Sequence, residues 1–264
     1  MSTGNKTGMH SEGRIDVIAA DWPAPENIHA VSTTRNLHQG AGVSEGRYAC
    51  LNLALHVEDK PAYVEENRQL LKQQLQLPQE PLWLEQVHGN EVVDASSSLT
   101  ACADASFSFE KNRVCAVMTA DCLPVLICNR EGNKVSAAHA GWRGLAGGGI
   151  EASIRSLEEK PENLLVWLGP AIGPQAFEVG EDVRQVFIDD LAQCDRAFKE
   201  NRPGHYLADI YQLARLRLKR LGIEAVYGGK YCTYTDADRF YSFRRDGTTG
   251  RQASLIWFSE RSAK

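Results

Sequence analysis

No stretch of this 264-residue chain stays apolar long enough to cross a bilayer. Its longest apolar runs, Val114–Ala120 and Leu123–Cys128, are strand-length and separated by Asp121, against the ~20 residues a membrane helix requires. Basic runs are also missing: 29 Lys and Arg stand against 34 Asp and Glu, for a net charge of −5. Such a chain has little with which to hold a phosphate backbone, so neither nucleic acid nor membrane is an expected partner. No two of the seven cysteines form a C-x-x-C pair, which fits a reducing compartment and a cytoplasmic protein. The opening residues lack the apolar core of a signal peptide, and residues 1–14 read as a disordered tail. Repeats, low-complexity blocks and linkers are absent, so residues 15–264 read as one domain, with 43% hydrophobic residues to build its core. No G-x-G-x-x-G turn follows a strand, which leaves a dinucleotide-binding fold without support.

The elements that are present predict a mixed architecture. Pro61 to Leu77 reads as a helix opened by proline, with Val64, Leu71 and Leu75 on one face. Leu145 to Leu157, Glu181 to Leu191 and Leu207 to Leu221 carry the same helical period, and Gly222 caps the last of them. Val114–Thr119, Leu123–Cys128, Lys134–Ala138 and Leu164–Leu168 read as buried strands. A β-hairpin is expected near the end, Phe240–Arg244 and Gln252–Phe258 around an Asp246-Gly247 turn. Strands outnumber helices without strict alternation. The expectation is an α/β (α+β) fold, a mixed β-sheet sandwich flanked by helices.

Three segments concentrate chemistry: Leu84-Glu85-Gln86-Val87-His88-Gly89, Thr119-Ala120-Asp121-Cys122-Leu123-Pro124 and Ala138-His139-Ala140-Gly141-Trp142-Arg143-Gly144. Each places one zinc-type ligand where an apolar strand meets a Gly- or Pro-marked turn. Imidazole and thiolate suit zinc, and three protein ligands leave a fourth position open, as catalytic sites do. His88, Cys122 and His139 are thus both the candidate metal ligands and the candidate catalytic residues. Buried cysteine and hydrogen-bonded histidine are also ordinary core features. The spacing matches neither H-E-x-x-H nor the H-x-E…P-C-x-x-C of zinc deaminases.

These segments, with Leu51-Asn52-Leu53 and Arg244-Arg245-Asp246, resemble the laccase-domain family, also called the multicopper polyphenol oxidase or purine nucleoside phosphorylase family. The resemblance runs from about Asp21 to Phe258 and is nearest to single-domain bacterial members. It implies a laccase-like catalytic domain, a fold distantly akin to a class of cysteine hydrolases, and zinc on the matching His, Cys and His. Gly40-Ala41-Gly42-Val43-Ser44 and Glu58-Asp59 depart from the family's usual Gly-Gly-Val-Ser and Gly-Asp, while Thr34-Arg35 and Asn52 match.

Three activities stay open. A multicopper oxidase holds its coppers on many histidines, often in H-x-H pairs; this chain has seven, none two residues apart. Copper is therefore expected only as a substitute at the zinc site. The resemblance implies phosphorolysis of adenosine, inosine, guanosine and methylthioadenosine, with deamination of adenosine. A purine nucleoside and inorganic phosphate would then be the partners, acting on a monomer or weak homodimer. Phosphate calls for an arginine fork, and Arg35, Arg143, Arg244 and Arg245 lie in motif segments. Arg35 is the leading clamp, and Asn52, Arg143 and Arg244 complete the candidate substrate-binding set. The third reading makes Cys122 the nucleophile of an amidase trimming a peptidoglycan precursor, with His139 or His88 as base. Asp121, Glu85 and Glu178 are candidate general bases or supporting carboxylates.

Overall fold

The run Leu123–Asn129 is buried at every position because its two faces meet two different cores. Leu123, Val125 and Ile127 point into one cluster with Leu145, Ile150 and Leu213, while Leu126 and Cys128 point into another with Val117 and Ile256. This alternation is the period of two of a strand, and burial on both sides explains the lack of polar interruptions. The computed structural model describes residues 13–96 and 101–261. The expected tail lies outside them up to residue 12.

Leu123–Asn129 belongs to a six-stranded mixed sheet ordered Val226–Gly228, Leu164–Leu168, Leu123–Asn129, Val135–Ala140, Ala105–Ser108, Val92–Asp94. A four-stranded antiparallel sheet lies against it, ordered Val17–Ala19, Ile28–Thr33, Gln252–Phe258, Cys115–Thr119. The second cluster fills the space between these sheets, so the architecture is the expected sandwich. Helices Gly149–Ser156 and Ile210–Arg220 cover the outer face of the six-stranded sheet. Helix Pro61–Gln74 covers the outer face of the four-stranded one through Leu71. A three-stranded sheet, Glu178–Gly180, His205–Ala208 and Phe198–Arg202, and a two-stranded parallel pair, Leu84–Glu85 with Ala101–Cys102, complete it. Among the described residues, no helix is long and apolar enough to cross a membrane.

Several boundaries differ from the sequence reading. The segment Leu145 to Leu157 is broken into Trp142–Ala146 and Gly149–Ser156, because Gly148 takes φ 85° between them. Leu207 is drawn into a strand paired with Glu178, so the last long helix starts at Ile210, where the Asp209 side chain caps the Gln212 amide. The expected terminal hairpin is absent. Ser242 caps a short helical turn, Phe243–Asp246, and Gln252–Phe258 pairs instead with the distant strands Ile28–Thr33 and Cys115–Thr119.

Candidate active site

Asp104 organises the metal-type ligands, and sequence reading missed it. Its side chain is 2% exposed and accepts from the amides of Val87 (3.2 Å), His88 (2.9 Å) and Gly89 (2.6 Å) and from His139 Nδ1 (2.7 Å). Three successive amides closing on one carboxylate hold His88 at φ 62°, a region non-glycine residues seldom occupy. The fourth donor leaves His139 Nε2 as the lone-pair nitrogen turned towards the site. His139 also sits on the strand Val135–Ala140, and its amide bonds the Asp104 carbonyl at 2.7 Å. Cys122 comes from the tight link between Cys115–Thr119 and Leu123–Asn129.

One ligand atom from each of His88, Cys122 and His139 lies within 4.8 Å of the others, and Cys122 Sγ is 3.8 Å from His88 Nε2. A tetrahedral ion with ordinary Zn–N and Zn–S bonds holds neighbouring donors about 3.3–3.8 Å apart, so this donor set fits a metal of that size. The same trio carries strong mutual polarisation. Burial opposes the Cys122 thiolate, but the His139 charge and hydrogen bonds from both imidazoles bring the thiol down to about 6. Burial likewise opposes the His139 cation, yet Cys122 and Asp104 push it up to about 9. Among the described residues this is the one such cluster of metal-binding side chains.

Gly141 makes the cluster possible. A Cβ there would come within 2.9 Å of His88 Cδ2 and 3.0 Å of Cys122 Sγ, closer than side chains tolerate. Gly141→Ala is expected to leave the fold intact, since exposed His88 can swing away, but to weaken metal binding about tenfold or more. Competition against a chelating dye measures this; unchanged affinity would refute the cradle role of Gly141.

The trio opens into a cavity of about 400 Å³ lined also by His56, Gln86, Asp121, Trp142, Arg143, Phe177, Phe243, Arg244 and Arg251. Asp121, at φ 91°, accepts from Thr233 Oγ1, Ser242 Oγ and the Arg244 amide. Its carboxylate thereby ties the turn carrying Phe243 and Arg244 to the turn carrying Cys122. Arg143 and Arg244 thus line the cavity.

Arg35 and Asn52 do not. Arg35 donates to the carbonyls of Ala49 and Ala237 and lies over the Tyr241 ring, stapling two loops together. Arg245 is similarly engaged by the carbonyls of Thr233, Tyr234 and Phe240. Asn52 is fully buried, with its amide oxygen accepting from Ala54 and Arg251. Glu85 lines a neighbouring cavity, and Glu178 pairs with Arg202 on the surface. His56, Arg251 and the aromatic walls were not foreseen. Only the position of Arg251 just ahead of the apolar run Gln252–Phe258 could have flagged it.

The family described as multi-copper polyphenol oxidoreductase laccase matches residues 29–259. The chain belongs to that family. Among its relatives, purine nucleoside phosphorylase PA4543 of Pseudomonas aeruginosa is 51% identical over 244 residues, covering 92% of this chain and 98% of that protein. Purine nucleoside phosphorylase YfiH of Escherichia coli is 52% identical over 243 residues, covering 91% and 98%. The crystal structure of Neisseria meningitidis protein NMB0706 superposes with a TM-score of 0.89 at 49% identity, covering 92% of this chain and 99% of that one.

Proposed function

We propose that this chain is a zinc-dependent purine nucleoside phosphorylase, acting on adenosine, inosine, guanosine and methylthioadenosine, and that it also deaminates adenosine. The observation that carries the reading is one His/Cys/His group able to hold a metal, opening into a cavity with both aromatic walls and arginines, in a chain about half identical to relatives named for that activity. Residues 15–264 would act as a single catalytic unit in the cytoplasm, as a monomer or weak homodimer.

In phosphorolysis a phosphate oxygen bonds to ribose C1′ as the bond from C1′ to the purine nitrogen breaks, and the departing base takes up a proton. Trp142, Phe177 and Phe243 offer flat apolar faces to a purine. An arginine of the cavity neutralises phosphate, and the apolar walls keep competing water from C1′. His88, Cys122 and His139 would hold the zinc, with copper able to replace it; when bound, the ion supplies a Lewis acid to the substrate group facing the open position.

The test is release of free base and ribose 1-phosphate at varied phosphate. Rates should rise with phosphate and vanish on chelation. Base release that runs equally fast without phosphate sinks the phosphorylase reading. Because the described residues offer one group that could hold a metal rather than several, phenol oxidation should appear only after copper loading and stay slow. Fast oxidation by copper-free protein would contradict this.

A second reading is favoured by one alignment: Cys122, His139 and Asp104 follow one another as nucleophile, base and orienting carboxylate do. A cysteine amidase acting on a peptidoglycan precursor would keep its activity after chelation, and a phosphorylase would lose it.

A further inference from the structure

Several arginines on this protein face a carboxylate. Arg184, Arg202, Arg217 and Arg220 each pair with Asp or Glu. Arg251, half-buried in the cavity wall, does not. Its Nη1 is fixed by the carbonyls of Thr249 (2.8 Å) and Gly250 (3.0 Å), while Nε and Nη2 have no partner among the described residues. The guanidinium is thus held rigidly with one edge unused, and burial depresses its basicity against the pull of Cys122 and Asp121. An ion in that condition gains most from an anion that supplies both charge and two acceptor oxygens.

The backbone beneath it is locked in place. Asn52 Oδ1 accepts the Arg251 amide at 2.9 Å, and the Leu53 amide bonds the Arg251 carbonyl at 3.3 Å. Gly250 packs so tightly that a Cβ would lie 2.8 Å from the Tyr241 ring and 3.0 Å from Asn52 Cβ. The turn that follows Asn52 carries His56 into the cavity, where neither ring nitrogen has a hydrogen-bond partner among the described residues. Burial, then the charges of Arg251, Arg68 and the two ligand histidines, hold the His56 imidazole towards its neutral form. A neutral imidazole beside a guanidinium that has no paired carboxylate offers a further N–H donor to the same guest.

We propose that Arg251 and His56 form a dedicated oxyanion subsite beside the metal ligands, and that inorganic phosphate occupies it. Only the identity of the occupant rests on the phosphorylase reading. Asn52 is then a positioning residue that presets both members, which accounts for the Leu51-Asn52-Leu53 segment without any contact between Asn52 and substrate. Arg143 and Arg244, both exposed and on other turns, are left for the nucleoside.

Calorimetric titration of zinc-loaded protein with inorganic phosphate, in the absence of nucleoside, tests the subsite without turnover. Arg251→Gln and His56→Gln should each weaken phosphate binding, the first by about ten- to a hundredfold, the range for hydrogen bonds to a charged group. Arg251→Lys should recover only part, since an ammonium lacks the fork. Zinc content should hold in all three variants, and nucleoside KM should change less than phosphate KM. Arg155→Gln, on an exposed helix end, should bind phosphate as the parent does. Equal phosphate affinity in Arg251→Gln and His56→Gln overturns the proposal. Loss of phosphate binding only in step with loss of zinc also overturns it, because the cation would then serve the Cys122 thiolate. A parent protein that binds phosphate through Arg251 yet releases base at the same rate without it would sink the phosphorylase reading and leave the subsite standing.

Discussion

Asp104→Ala is expected to weaken metal binding about ten- to a hundredfold and to destabilise the fold by about 3–5 kcal/mol. The carboxylate takes four hydrogen bonds, three from backbone amides at residues 87–89 and one from His139 Nδ1. Alanine leaves all four donors without an acceptor. Water can reach the partly exposed turn at residues 87–89, which keeps the loss below the sum of four separate penalties. His139, 4% exposed, has no such relief, and its ring becomes free to take the wrong tautomer. Asp104→Asn keeps the shape but turns an NH2 group towards two of the four donors, so it should fall between the parent and the alanine variant.

The pH dependence follows from the same bonds. Burial works against the Asp104 carboxylate, but the His139 donor and the amides of Gly89 and His88 outweigh it and hold its pKa below 3.8. A depressed folded value means the stabilisation is complete above the ordinary carboxyl range and disappears as pH falls through the folded value. Denaturant melts across that acid range should steepen for the parent and flatten for Asp104→Ala. Parallel curves, or an alanine variant with full metal affinity, would show that the carboxylate does not organise the site.

Arg217→Ala should cost a further about 3–5 kcal/mol at a place remote from chemistry. Arg217 is 3% exposed and bridges Glu151 and Asp190, at 2.7 Å each, so that three helices meet on one guanidinium. Arg220 reinforces both carboxylates from the surface side. Glu151 Oε2 already lacks a hydrogen-bond partner among the described residues, and truncating Arg217 strips the charged oxygen beside it of its shortest bond. Calorimetry should register a fall in Tm of about 6–20 °C for a chain of this size. The double variant Glu151→Leu with Arg217→Leu should recover most of it, because an apolar pair leaves no buried charge. A single variant within about 1 kcal/mol of the parent would be incompatible with a structural ion cluster.

The convergence of His88, Cys122 and His139 was legible because each sits where a local pattern changes, an apolar strand running into Gly or Pro. Their organiser was not. Asp104 lies in Ala101-Cys102-Ala103-Asp104-Ala105, which carries no mark of function. It reaches His139 only because Ala105–Ser108 pairs with Val135–Ala140 and Ala101–Cys102 pairs with Leu84–Glu85. The arginines teach the same point. Arg35 stands in a family-like Thr-Arg context and proved to be a loop staple, whereas Arg251 has no motif and faces the cavity. Which guanidinium is left without a carboxylate depends on tertiary contacts, and side-chain chemistry alone does not distinguish them. The terminal hairpin failed for a related reason. Alternation in Gln252–Phe258 correctly marks a strand, but its partners are about 135 and 225 residues away, beyond any turn-based rule.

That last strand has a consequence during synthesis. Gln252–Phe258 emerges from the ribosome after every other described strand, yet it is the piece between Ile28–Thr33 and Cys115–Thr119. Until it arrives, Ala30 and Val117 lack the Ile256 side chain that packs beside them, and the two flanking strands present unpaired edges that invite chaperones or misassembly. Arg251 arrives with it. Closure of the sheet and delivery of the cavity guanidinium therefore fall to the same few residues, and a nascent or truncated chain ending before residue 251 holds His88, Cys122 and His139 without the Arg251 side chain that lines their cavity.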